Sequence, residues 1–402
     1  MNDWQGGSYE RRQSAAHELL QQSGHLPGAA TPAEAETAES REDRADTKKG
    51  PASPLIPPNR SGVTQTSTDV SDLTNRPSYD DLAVASPGDH RLVASEGWRR
   101  RLARATLGLV KLRPGKEELS RLDDERDAGL QLSRPMTVAV ANHKGSAGKT
   151  PVVALLAAIL GEHRGGGVVA WDNNENQGTL GLRTAVGRFP TTAVDLLDSA
   201  ELFETGRGGT GDLGRFLRHQ QVGKFDVLAS AEDSRSMRMI GHDEFMRLHA
   251  ILSRFYQLIV VDTGNSLLAP NWTAAADTAD VLVIPLRWSY DHVRSAQQMI
   301  VQLHEMGRDD LVRNAVTVIS HVRGAAVDRE NAPKWREWFE ENTAEVLEIP
   351  YDPHIDAGSR LSFDRLAAPT QRAFLRLGAT VSRTLADIDN PYLTASPTTE
   401  GN

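Results

Sequence analysis

The chain has 402 residues, no cysteine, 25% charged residues and a formal net charge of −9. These values exclude a disulfide framework and thiolate metal sites, and leave room for one large domain or two ordinary ones with appendages. No run is long and apolar enough to span a membrane, the first residues lack a basic-then-apolar leader, and mild acidity gives no global pull toward nucleic acid. A cytoplasmic protein is expected.

Residues 1–89 are rich in Ser, Thr, Pro, Ala, Gly and acids and poor in large apolar groups, so they are expected to form a disordered arm. Within it, Tyr9–Gln22 has enough Ala and Leu for a transient helix. Residues 90–133 form a basic and charged helical segment. Trp98, Leu102 and Ala105 recur at helical spacing among arginines, a pattern that suits either an anionic surface or docking on a neighbouring domain. Pro114 and Gly115 break it, and a charged helix follows over Glu117–Gln131.

Residues 134–388 alternate strand and helix patterns. Apolar strands are expected at Met136–Ala141, Val168–Trp171, Phe225–Ala229, Leu258–Val261, Val281–Pro285, Ala315–Ile319 and Val346–Ile349. Helices are expected between them, at Val152–Glu162, Asp243–Phe255, Tyr290–Met306, Lys334–Glu341 and Arg365–Ala386. Near-continuous Val/Ile/Leu strands alternating with helices predict an α/β fold, a doubly wound, mostly parallel sheet with ligands at the strands' carboxyl ends. Residues 389–402 are expected to form a flexible tail.

The most informative stretch runs from Met136 to Thr150: a β-branched strand, a small-residue turn, then Gly148, Lys149 and Thr150 opening an apolar helix. Such a loop turns successive backbone N–H groups inward at a helix N-terminus and cradles phosphate oxygens. Gly145, Ser146, Ala147 and Gly148 let the backbone approach a nucleotide. Lys149 is placed for the β- and γ-phosphates and the Thr150 hydroxyl for Mg²⁺. Pro151 sits in the helix's first turn, where proline is tolerated. Asp262 closes the Leu258–Val261 strand and suits the Walker B role toward the same Mg²⁺.

Lys144-Gly-Ser-Ala-Gly-Lys-Thr150 resembles the deviant Walker A box of the ParA/MinD family of P-loop ATPases, although Ser146 stands where that family usually has Gly and Pro151 where it has Thr or Ser. The resemblance covers residues 136–386. It implies ATP and Mg²⁺ as ligands and an ATP-dependent homodimer in which Lys144 reaches the partner's phosphates. It also implies metal roles for Thr150, Asp172 and Asp262 and catalytic roles for Lys144 and Lys149. The acid that positions the attacking water in the family falls here on Asn174. An amide can orient water but cannot take a proton, so slow hydrolysis is expected, with the neighbouring Glu175 as a potential substitute. Leu347–Asp352 resembles the family's late Ile-Pro-x-Asp turn. By analogy Pro350 and Tyr351 line the adenine pocket, with Ser320 or His321.

The layout of long arm, basic helix and Asp172-Asn-Asn-Glu175 run resembles actinobacterial ParA/MinD-like proteins, some associated with type VII secretion. A metabolic P-loop enzyme of similar fold, though not an iron–sulfur one in a chain without cysteine, is one function left open, and two others lead. One is an ATPase switch in DNA partitioning or cargo positioning, with Arg360, Arg365, Arg372, Arg376 and Arg383 as the candidate DNA face. The other is a low-turnover nucleotide-binding scaffold whose arm recruits a protein activator or secretion component. The acidic, proline-broken C-terminus argues against membrane anchoring. The histidines lack zinc-ligand spacing. Gly206–Gly211 reads as a loop, and Lys334–Phe339 as an aromatic stripe for helix packing.

Overall fold

A computed structural model describes residue 105 and residues 113–174, 178–230, 240–324 and 327–390. The arm of residues 1–89, the Tyr9–Gln22 helix, all but one residue of Trp98–Leu112 and the tail beyond residue 390 lie outside the described residues.

The strands are β1 (Met136–Val140), β2 (Val168–Asn173), β3 (Arg218–Gln220), β4 (Phe225–Leu228), β5 (Leu258–Thr263), β6 (Val281–Leu286), β7 (Val316–Ser320) and β8 (Glu345–Ile349). They form one sheet in the order β3-β4-β2-β5-β1-β6-β7-β8. Every pairing is parallel except that of β3, which runs antiparallel to β4 at the edge. The longer helices are α1 (Lys116–Ala128), α2 (Lys149–Arg164), α3 (His242–Ser253), α4 (Pro270–Thr278), α5 (Tyr290–Glu305), α6 (Ala332–Asn342) and α7 (Ala368–Asp389). Each expected strand and helix of the 134–388 region is present, shifted at its ends by a few residues.

Both faces of the sheet are covered, which explains the near-continuous apolar strands. Along β1, Met136, Val138 and Val140 pack into the layer that holds α2 and α7, whereas Ala139 packs into the opposite layer with Trp272 and Met299. The same period-two division runs through β2 and β5, where Val169, Trp171, Ile259 and Val261 meet Phe245 and Leu248 of α3. Trp171 stacks on Phe245 with centroids 4.4 Å apart. Helix α2 is the most buried helix, with Val153, Leu156 and Leu160 wholly enclosed. Removing one such leucine side chain costs about 2–5 kcal/mol, so α2 fixes the loop before it to the core.

Two local expectations change. Thr210 opens a one-turn helix, Thr210–Leu213, inside the stretch read as a loop, and the Asp212 carboxylate accepts the Gly209 N–H at 3.0 Å. Arg376 and Arg383, two of the five arginines of the candidate DNA face, are engaged by α1: Arg376 meets Asp124 at 3.0 Å and Arg383 meets Asp127 at 2.9 Å. Burial opposes ionisation of Asp127, yet Arg383 and Arg126 hold its carboxyl below the usual range. These two arginines therefore clamp α1 to α7. The aromatic stripe is packing, as expected: Trp335 of α6 stacks with Trp288, Phe339 lies tilted against the same ring, and Phe339 is fully buried.

Candidate functional site

The sheet order reverses at β1, whose neighbours are β5 and β6, and the loop leaving β1 opens there. Gly148 caps α2 in the left-handed region at φ 95°, and Ser146 also has positive φ, 62°. Glycine enters that region without strain, whereas a serine there costs roughly 1 kcal/mol. This accounts for the glycine usual at the Ser146 position in the family that the motif resembles.

Lys149 is buried, and its Nζ donates to the Asn142 carbonyl at 2.7 Å and to Asn265 Oδ1 at 2.6 Å. Asn142 organises the loop. Its Oδ1 accepts the Lys144 N–H at 3.0 Å and the Ser295 hydroxyl of α5 at 2.8 Å, while its Nδ2 donates to the Pro285 carbonyl at 2.9 Å. Thr150 Oγ1 donates to Asp262 Oδ2 at 2.6 Å and lies 3.0 Å from Thr179 Oγ1.

Asp172 and Asp262 are paired across the β2–β5 register, and both are buried. Burial and then the Asp262 charge push the Asp172 carboxyl well up. Asp262 is also raised by burial, against the Thr150 hydrogen bond and the Lys149 charge. Asp172 Oδ2 accepts the Leu180 N–H at 3.1 Å, while the buried Oδ1 has no hydrogen-bond partner among the described residues. Two buried carboxyls, one with an unmet oxygen, beside a threonine hydroxyl make a hard-oxygen donor set. That set fits a divalent cation such as Mg²⁺.

A cavity of about 620 Å³ opens over Thr150 and Asp262, whereas Asp172 is buried beside Asp262 and does not line it. The expected residues Gly145 to Pro151, Asn174, Asp262, Ser320, His321, Pro350 and Tyr351 all line it. The Pro350–Asp352 turn is pinned by Asp352, whose carboxylate accepts the His354 and Ala367 N–H groups at 2.9 and 2.8 Å. Glu175 lies outside the described residues. Lys144 is not part of the lining: its Nζ pairs with Asp291 Oδ2 at 2.9 Å. The sequence reading missed Asn142, Asn265, Thr179, Asp291 and Arg287. Asn142 carried a readable signal, since an asparagine two residues before a turn N–H commonly forms an Asx-turn.

No protein-family model matches the chain. Its fold does match solved structures. The septum site-determining protein MinD of Pyrococcus horikoshii OT3, complexed with Mg-ADP, superposes with a TM-score of 0.50 at 19% identity, over 63% of this chain and 98% of that one. The fold is that of the MinD/ParA ATPases. A ParA family ATPase from Chlorobium tepidum TLS is similar at a TM-score of 0.48 and 16% identity, over 64% of this chain and 98% of that one. In sequence, the chain is 27% identical over 299 residues to the ESX-1 secretion-associated protein EspI of Mycobacterium tuberculosis, in two strains. That match covers 73% of this chain but only 43% of EspI. Among the described residues, no helix is long and apolar enough to cross a membrane.

Proposed function

We propose that this chain is an ATP-binding, slowly hydrolysing switch of the ParA/MinD type, dimerising around nucleotide. The observation that carries the reading is the convergence on one cavity of a buried lysine, a threonine hydroxyl hydrogen-bonded to a strand-end aspartate, and a loop in phosphate-cradling conformation. The Mg-ADP bound to the P. horikoshii MinD is consistent with it.

In this reading Lys149 and the N–H groups of Gly145 to Thr150 hold the phosphates. Lys149 is already desolvated, so its charge acts at full strength on an incoming anion. Thr150, Asp172 and Asp262 hold Mg²⁺, which would neutralise phosphate charge. Pro350 and Tyr351 flank the base. Asn174 orients water without accepting its proton, which keeps turnover slow. Lys144 leaves Asp291 to meet the phosphates of a second copy.

A low-turnover scaffold serving a secretion apparatus is the second reading, favoured by Asn174 and by the similarity to EspI. In that case the arm of residues 1–89 recruits the protein partner, whereas DNA binding falls to Arg360, Arg365 and Arg372 in the partitioning version. Calorimetry with ATP–Mg²⁺, followed by turnover of wild type and Asn174→Asp, tests the proposal. Wild type is expected to bind ATP, with the variant hydrolysing faster. A wild type that is already the faster overturns the role given to Asn174, and failure to bind ATP overturns the whole reading.

A further inference from the structure

The order β1-β6-β7-β8 sets out a ladder along the carboxyl edge of the sheet. The phosphate loop follows β1, Arg287 follows β6, His321 follows β7 and Pro350 follows β8. Neighbouring strands lie ~4.8 Å apart, so three steps cover roughly 14 Å, the span of an extended nucleoside triphosphate. With phosphates over β1 and the base between the β7 and β8 turns, the sugar falls over β6 and β7.

A second cavity of about 180 Å³ lies there, and it shares Arg287, Ser320, His321 and Val322 with the nucleotide cavity as a common wall. Behind that wall is His292, 6% exposed, in the first turn of α5. Its Nε2 and the Nε of Arg287 are both buried without a hydrogen-bond partner among the described residues. Unmet polar atoms of this kind are uncommon in a core and are expensive unless something occupies them.

The neighbouring contacts fix what each atom requires. The Ser289 hydroxyl donates to Asp291 Oδ1 at 2.8 Å, so at its 2.8 Å contact with His292 Nδ1 the serine oxygen must accept. The ring proton therefore sits on Nδ1, leaving Nε2 as a bare acceptor. Burial keeps the ring neutral, with the charges of Arg287 and Lys144 acting in the same sense against that of Asp291. Arg287 Nε–H is a donor. A water molecule or a ligand hydroxyl satisfies both, because each can donate to the bare Nε2 and accept from the Arg287 Nε–H.

We infer that His292 and Arg287 form a sugar subsite that reads a ribose hydroxyl, and so select ribonucleotides over deoxyribonucleotides. This inference rests on the proposed nucleotide site and assigns its specificity to residues outside the phosphate loop.

The test is calorimetry of the full chain with Mg²⁺ and ATP, 2′-deoxy-ATP or 3′-deoxy-ATP, on wild type, His292→Phe and Arg287→Ala. Losing a hydroxyl that meets two buried groups leaves both unpaired. Wild type is therefore expected to bind one deoxy analogue at least about 10-fold more weakly than ATP. Both variants should bind ATP and that analogue alike, so the ratio collapses toward one. Arg287 is only partly buried, so its variant keeps the test decisive if His292→Phe fails to fold. Equal wild-type affinity for all three nucleotides overturns the subsite and makes the cavity a place for water alone. A preference that survives in folded variants overturns it as well. Failure of wild type to bind any of them is a different result, which removes the nucleotide reading itself.

Discussion

Lys144 Nζ lies 2.9 Å from Asp291 Oδ2 of the same chain, and Lys144 does not line the cavity that the rest of its loop borders. The carboxylate is held in place by the Ser289 hydroxyl at 2.8 Å and its own helix's His292 N–H at 3.0 Å, both on Oδ1. The Lys144 and Ser289 hydrogen bonds pull the Asp291 carboxyl far below the usual range.

Both partners are exposed, 42% and 53% at the side chain, so this is a weak latch. Pairs of that exposure contribute about 0–1 kcal/mol. Asp291→Ala should therefore leave the melting temperature nearly unchanged. In the proposed switch it frees Lys144 in both protomers, and ATP-dependent dimers should form at up to about 30-fold lower protein concentration, the equivalent of about 1 kcal/mol for each of the two pairs. Light scattering across a dilution series measures this, and an unchanged or higher threshold contradicts the latch.

Asp172 faces Asp262 in the core with one oxygen unmet, so its negative charge costs stability while no cation is bound. Asp172→Asn should stabilise the nucleotide-free protein at pH 8 and so raise its melting temperature. The same change should reduce the further stabilisation given by ATP–Mg²⁺. Thermal denaturation with and without ATP–Mg²⁺ checks both, and a variant that is less stable without ligand argues against an electrostatic strain in this pair.

Much of this site was legible because its decisive part is local. The run from Lys144 to Thr150 carries its own turn, lysine and hydroxyl in seven consecutive residues, and Asp262 announces itself by ending an apolar strand. Asn265, Arg287 and Asp291 gave no comparable signal. Their roles come from β5, β6 and α5 converging on the loop, and pairings more than 100 residues apart leave no periodicity to read. The fold shows the same division. Apolar strands and the α2 pattern follow from burial on both faces. The edge strand Arg218–Gln220 is three residues of polar sequence, and α1 is held to α7 by ion pairs that a charge pattern alone does not assign.

His249 is mostly enclosed, its Nε2 2.8 Å from Thr137 Oγ1 and its ring stacked against Phe245, with Asp280 the charge that bears on it. Burial lowers its pKa below the ordinary 6.5 despite Asp280. The unfolded chain therefore takes up a proton first as pH falls. The stability contribution is complete above about pH 6.5 and is lost as pH drops toward the folded-state value. His249→Gln should lose less melting temperature than wild type between pH 8 and pH 5. Parallel pH profiles for the two proteins would contradict this assignment.

The most direct test of the switch is size-exclusion chromatography with light scattering, with and without ATP–Mg²⁺, on wild type and Lys144→Ala. A dimer should appear with ATP in wild type and be lost in the variant, while ATP binding persists in both. A wild type that binds ATP and stays monomeric, or a variant that dimerises as well as wild type, would rule out a switch built on Lys144.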